Sequence, residues 1–300
     1  MKKWSLVMAG AFVMLLSAQA RALPVVFKGV KATFSKSATD RQLVEDDAEL
    51  VLDDQARKLT VKNGKRPLEV SYDDIQRVVF DTSTHMRGGK AGRAIGGLLG
   101  AAISGKHVTE SWCYLEYREP GGRVQPYMLI IPTESSAALS DTMRALFGDK
   151  TVVADFPEKA VNIEKETLKD LKSKHDLKVD KTNHPLPELT PDKALVVVVC
   201  PKIPSEESSQ MKVHANDRVV LVNKTGTYGF FYLDPGEYVL ASQAGNATAI
   251  RITLEAGKDY YFLQDMFIGA VKASTTLSRH TKELVMYQLN GASHSDWTRK

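Results

Sequence analysis

Residues 227–242 read TYGFFYLDPGEYVLAS: an aromatic run over 229–233, a turn at Asp234-Pro235-Gly236, and a second apolar run over 237–242. Each run is too short for a helix and is rich in residues that suit a pleated surface, while Pro and Gly supply the turn. Working outward, 194–200, 212–222, 247–254, 260–263 and 284–289 read the same way. Asn216-Asp217, Gly245-Asn246 and Ala256-Gly257-Lys258-Asp259 mark turns between them. Short strands at this spacing predict an antiparallel β-sandwich over 193–300.

The first half repeats the pattern in another order. Residues 25–27, 30–34, 48–52, 58–61, 68–71 and 76–80 are strand-like, and 111–118 pairs in prospect with 125–131 across Glu119-Pro120-Gly121-Gly122. Residues 135–147 carry Leu139, Met143 and Leu146 at helical spacing, with Gly148 as a stop. This predicts a small barrel-like domain with a C-terminal helix over 23–148. Residues 149–192 turn to Lys, Glu and four prolines, which reads as a linker with a charged helix over 157–174. The fold class is mainly β, with two domains.

Two stretches carry family resemblances. Leu68-Glu69-Val70-Ser71-Tyr72-Asp73-Asp74-Ile75, with strands before it and a helix at the end, resembles bacterial pleckstrin-homology-like or GRAM-like domains. That resemblance implies binding and carries over no headgroup residues. The run 194–198, Thr227-Tyr228-Gly229-Phe230, the Asp234-Pro235-Gly236 turn and Ala256-Gly257-Lys258-Asp259-Tyr260-Tyr261-Phe262 resemble the bacterial family called domain of unknown function 2846. That family implies an exported β protein and assigns no catalytic residue. This chain departs from its lipoprotein members by having no Cys near the signal.

The chain begins with Lys2 and Lys3, an apolar run over 6–16 and two A-x-A sites ending at Ala20 and Ala22. This is a secretory signal pattern. An apolar run of about 11 residues falls short of the roughly 20 a spanning helix needs, so cleavage near Ala22 and a periplasmic or cell-envelope location are expected. Loss of Lys2, Lys3 and Arg21 lowers the formal charge from +4 to +1, which removes the case for nucleic acid. Cys113 and Cys200 lie in apolar runs of different domains and read as buried thiols, although an oxidising compartment permits a disulfide.

The segment 88–105 stands apart. Gly88, Gly92, Gly96 and Gly100, followed by Ser104, fall every four residues and would line one ridge of a helix. Two readings stand: an interfacial, re-entrant or self-associating element, or a glycine-rich insertion between strands. Gly100 to Lys106 also spells G-x-x-x-x-G-K, but His107 occupies the position of the Mg²⁺-binding hydroxyl, so no nucleotide is expected. His85 and His107 flank this segment, and no histidine pair has metal-site spacing. The run Ser274 to Ser278 lacks a nucleophile elbow and reads as a solvated loop. Asp46-Asp47 and Asp53-Asp54 are turn residues, and the aromatics of the C-terminal half read mainly as core.

These observations predict a non-enzymatic exported protein that binds or scaffolds an unknown protein or envelope component, without cofactor or metal. The alternative is a peripheral membrane or self-association role through 88–105. A third is a hydrolase whose site is assembled from distant residues.

Overall fold

The computed structural model describes residues 23–35, 43–87, 106–158, 160–161, 175–182, 184–202, 209–268 and 273–299. The fold is mainly β, with three sheets and few helices.

The N-terminal sheet contains β1 (Val25–Ser35), β2 (Leu43–Asp53), β3 (Lys58–Asn63), β4 (Leu68–Ser71), β5 (Ile75–Arg87), β6 (Lys106–Arg118), β7 (Val124–Ile131) and β8 (Thr151–Val153), with helix α1 (Thr133–Phe147) before β8. Their order is β4-β3-β2-β1-β7-β6-β5-β8, antiparallel except for β8 on β5. The runs 25–27 and 30–34 form one strand, interrupted by a register shift where Gly29 takes φ +72°. β4 and β8 are the sheet's edges, so the barrel-like enclosure comes from one shared core rather than from a closed ladder. That core takes Leu50, Leu59, Val78, Leu115 and Leu129 from the sheet and Leu139, Met143 and Phe147 from α1. The spacing of four between Leu139, Met143 and Phe147 puts all three on one helical face. Gly148, at φ +56°, ends the helix.

The C-terminal half contains β9 (Ala160–Val161), β10 (His175–Asp180), β11 (Ala194–Cys200), β12 (Met211–Ala215), β13 (Arg218–Asn223), β14 (Thr227–Leu233), β15 (Gly236–Gln243), β16 (Ala247–Leu254), β17 (Asp259–Ile268), β18 (Ala273–His280), helix α2 (Lys282–Leu289) and β19 (Ser293–Arg299). One sheet runs β10-β19-β14-β11-β17-β18 and the other β13-β12-β15-β16-β9. The turn at Asp234-Pro235 therefore carries the chain from one sheet to the other, because β14 and β15 belong to different layers. The six-stranded sheet is mixed: β11 lies parallel to β17 and β14 parallel to β19.

Two expectations shift. Residues 284–289 are helical rather than extended: the Thr281 side chain accepts from the Leu284 amide as an N-cap, and Leu284 and Val285 are buried. Part of the 149–192 span joins the sandwich, since β9 pairs with β16 and β10 with β19. The charged helix expected over 157–174 falls mostly outside the described residues, and Ala160–Val161 within it is extended.

The central strand β11 explains its uninterrupted apolar sequence. Ala194, Val196 and Val198 face the sandwich core, while Leu195, Val197 and Val199 face the N-terminal sheet. A strand covered on both faces needs no polar alternation. Trp112, Met128 and Ile130 stand on the outer face of β6 and β7 and pack with Tyr228, Tyr261, Leu263, Leu284 and Val285. The two halves thus share a third hydrophobic core at their seam.

Candidate functional site

The seam between the halves holds a buried polar constellation. Asp81 and Ser83 alternate on β5 with Phe80, so their side chains leave the domain core and enter the seam. Asp81 is 7% exposed and His280 4%. His280 Nδ1 lies 3.1 Å from Asp81 Oδ1, and the amides of Thr82 and Thr281 each donate to the carboxylate at 2.7 Å. The Thr281 hydroxyl adds a fourth donor at 2.9 Å. Burial pushes the Asp81 pKa up, but the hydrogen bonds and charge of His280 and the two Thr281 donors outweigh it, and the net shift is downward. On the other side of the imidazole, Ser278 Oγ lies 2.8 Å from His280 Nε2.

Further contacts hold this arrangement. Trp112 Nε1 donates to Ser83 Oγ at 2.8 Å, Thr33 and Tyr287 join their hydroxyls at 2.5 Å, and Arg77 pairs with Glu283 at 2.9 Å. Burial pushes the Tyr287 phenol up to about 12. Thr281 caps α2 while it contacts Asp81, so the helix start and the docking of the halves are one event.

A second polar site is an open cleft of about 430 Å³ where residues following β8 cross the sandwich. Glu158, Glu237, Asp259, Arg251, Lys258 and Arg279 line it. The Arg279 guanidinium lies between the rings of Phe156 and Tyr260, 4.8 and 4.9 Å from their centroids, and pairs with Glu158. Ser278 and His280 face the seam while Arg279 between them faces this cleft, so β18 serves both sites.

A third grouping pairs His184 with His294, their ring centroids 4.5 Å apart. Asp180 lies 2.7 Å from His184 Nε2, and this hydrogen bond, with those from Thr182, holds its carboxyl well below the usual carboxylate range. Burial, then the neighbouring His184, lowers the pKa of His294. Among the described residues no group of three or more His, Cys, Asp or Glu has an arrangement that holds a metal ion.

The residues singled out from sequence fare differently. Gly88, Gly92, Gly96, Gly100 and Ser104 lie outside the described residues. The β5–β6 ladder reaches Arg87 opposite Lys106, so both ends of 88–105 attach at one place. His85 pairs in register with Val108 and His107 with Met86, one step out of alignment with each other. Asp53 accepts from the Ala56 amide at 2.9 Å, the act of a turn residue, whereas Asp46 and Asp47 are not turn residues but lie within β2, opposite Ala32 and Lys31 of β1. Ser278 belongs to a strand rather than a solvated loop, and sequence reasoning missed it. The available signal was the spacing Ser278-x-His280, which puts both side chains on one face once the segment is extended. Asp81, from the other half of the chain, carried no such signal.

No family model matches the chain and no curated protein matches it, so the resemblances drawn from its residues rest on those residues.

Proposed function

We propose that this is an exported protein of the bacterial envelope that works as a binding or scaffolding module, with the charged cleft beside Arg279 as its contact point for a protein or envelope component. The observation that carries this reading is the cleft's composition: carboxylates and cations line it together with a guanidinium already held against two aromatic rings. Such a surface selects a partner by matching charge pattern rather than by apolar area. The shared core between the halves supports a rigid presentation of that surface. Seven antiparallel strands followed by a core-packed helix support the pleckstrin-homology-like reading of the first half, and the two-layer second half supports the likeness to domain of unknown function 2846. The N-terminal signal pattern supports export, with the processed chain beginning at Leu23.

The test is site-specific photocrosslinking in cells from position 251, with position 69 on the far edge of the N-terminal sheet as control, and a mass readout of the N-terminus. A discrete adduct from 251 that disappears in Lys258→Glu and is absent from 69 supports the reading. Equal adducts from both positions, or none, defeat it.

The second reading is association with a membrane or another copy through 88–105. It is favoured by the β5–β6 register, which puts Arg87 opposite Lys106 so that the two ends of that segment attach side by side. Among the described residues no helix is long and apolar enough to cross a membrane. Fractionation with carbonate washing, comparing the full chain with one lacking 88–105, separates the two readings: retention lost on deletion favours the segment.

A further inference from the structure

We propose that Ser278 is an activated nucleophile for acyl transfer from carboxylic esters, with His280 as its general base and Asp81 as the residue that positions the base. The diagnostic of such a device is a nucleophile and a base within hydrogen-bond reach, with the base oriented by a third group. Here the Ser278 Oγ to His280 Nε2 distance is 2.8 Å and the His280 Nδ1 to Asp81 Oδ1 distance is 3.1 Å. Asp81 offers only acceptor oxygens when ionised, so in the neutral imidazole, the form that acts as a base, the proton sits on Nδ1 and the Nε2 lone pair faces the serine hydroxyl. The three other donors to Asp81 keep it charged and fix its orientation. His280 and Asp81 are buried, whereas Ser278 is half-buried on β18, an edge strand of its sheet, which leaves the hydroxyl as the approachable end of the relay.

In the first step Ser278 Oγ bonds to the ester carbonyl carbon as its proton passes to His280 Nε2. The carbonyl–alkoxy bond then breaks, and the departing alkoxide takes that proton from His280. A water molecule next gives a proton to His280 and its oxygen to the acyl carbon, the Oγ–acyl bond breaks, and Ser278 recovers the proton. The products are an alcohol and a carboxylic acid, with no redox change. Serine and base come from one half of the chain and Asp81 from the other, so docking of the halves completes the relay. This activity goes beyond the binding reading and does not depend on the charged cleft.

The competing account is that Ser278 only satisfies the second nitrogen of a structural histidine, and a fluorophosphonate probe separates the two. The probe forms an Oγ–phosphorus bond and releases fluoride only where a serine is activated. The purified protein is incubated with the probe and analysed by intact mass and peptide mapping. The proposal expects one phosphonyl group on Ser278, none in Ser278→Ala, unchanged labelling in Ser274→Ala, and labelling slowed about a hundredfold in His280→Gln. Asp81→Asn is expected to slow labelling while melting curves report whether the seam stays docked. Wild-type protein unfolded in urea supplies the comparison if His280→Gln does not fold. No adduct under conditions that label a known serine hydrolase overturns the proposal, as does an adduct that forms equally fast in His280→Gln or in urea.

Discussion

Asp81 and His280 stand 199 residues apart in the chain and 3.1 Å apart in the fold. The carboxylate binds the last residue of β18 and the N-cap of α2 together, so its charge matters to stability as well as to any chemistry. The Asp81 pKa is lowered from 3.8, and a depressed carboxylate contributes stability that is present above the unfolded value and lost as pH falls through the folded one. Wild-type melting temperature should therefore drop more steeply below about pH 4 than that of Asp81→Asn. At pH 7, Asp81→Asn should cost about 1–3 kcal/mol by leaving buried donors poorly matched. Thermal melts across pH 3–7 check both statements.

Trp112 is the largest side chain the N-terminal sheet sends into the seam, and its indole nitrogen is satisfied by Ser83. Trp112→Ala should cost about 3–5 kcal/mol, the range for deleting a buried aromatic. The two halves should then also lose their coupling, so that one urea transition becomes two. A single transition with an unchanged midpoint would falsify the idea that this core joins them.

How much of this was legible beforehand depended on distance along the chain. Local patterns reported local structure: the periodicity of Leu139 and Met143 announced α1, and the turn at Asp234-Pro235 announced a break between strands. The stretch 284–289 misled because Leu284 and Val285 followed by Tyr287 suit a strand as well as a short helix, and the Thr281 cap that decides the matter is a single hydroxyl. The seam was hidden for a different reason. Residues 195, 197 and 199 looked like ordinary strand core, and nothing in the apolar run of β11 distinguishes a face covered by its own sandwich from a face covered by another domain. Asp81 meeting His280 is a tertiary fact with no local signature, and Ser278 acquires its partner only when β18 is extended.

His294 packs against His184, Tyr228 and Phe230, and burial and the facing imidazole lower its pKa below 6.5. A base whose folded value is depressed binds fewer protons folded than unfolded, so stability falls as pH drops below 6.5 through the folded value. His294→Phe should remove that part of the decline, leaving the mutant less acid-sensitive than wild type between pH 7 and 5. NMR titration of the ring protons should show His294 titrating below an unperturbed histidine; titration at or above 6.5 counts against the pairing.

Gly229 lies in β14 opposite Val198, where a Cβ would come within 2.3 Å of Leu221 Cδ1 and 3.1 Å of Cδ2. Leu221 is itself 2% exposed in the sandwich core, among Val196, Val198, Val213 and Leu240, so its methyls have nowhere to retreat without moving others. The glycine is thus required by close approach of the two sheets and not by its backbone angles. Gly229→Ala should destabilise by about 1–3 kcal/mol through overpacking. Leu221→Val in the same chain should recover part of the loss, because it trades a small transfer cost for the space the new methyl needs. Urea denaturation of the single and double mutants measures the coupling; strictly additive losses would show that the alanine methyl and Leu221 do not compete for the same volume.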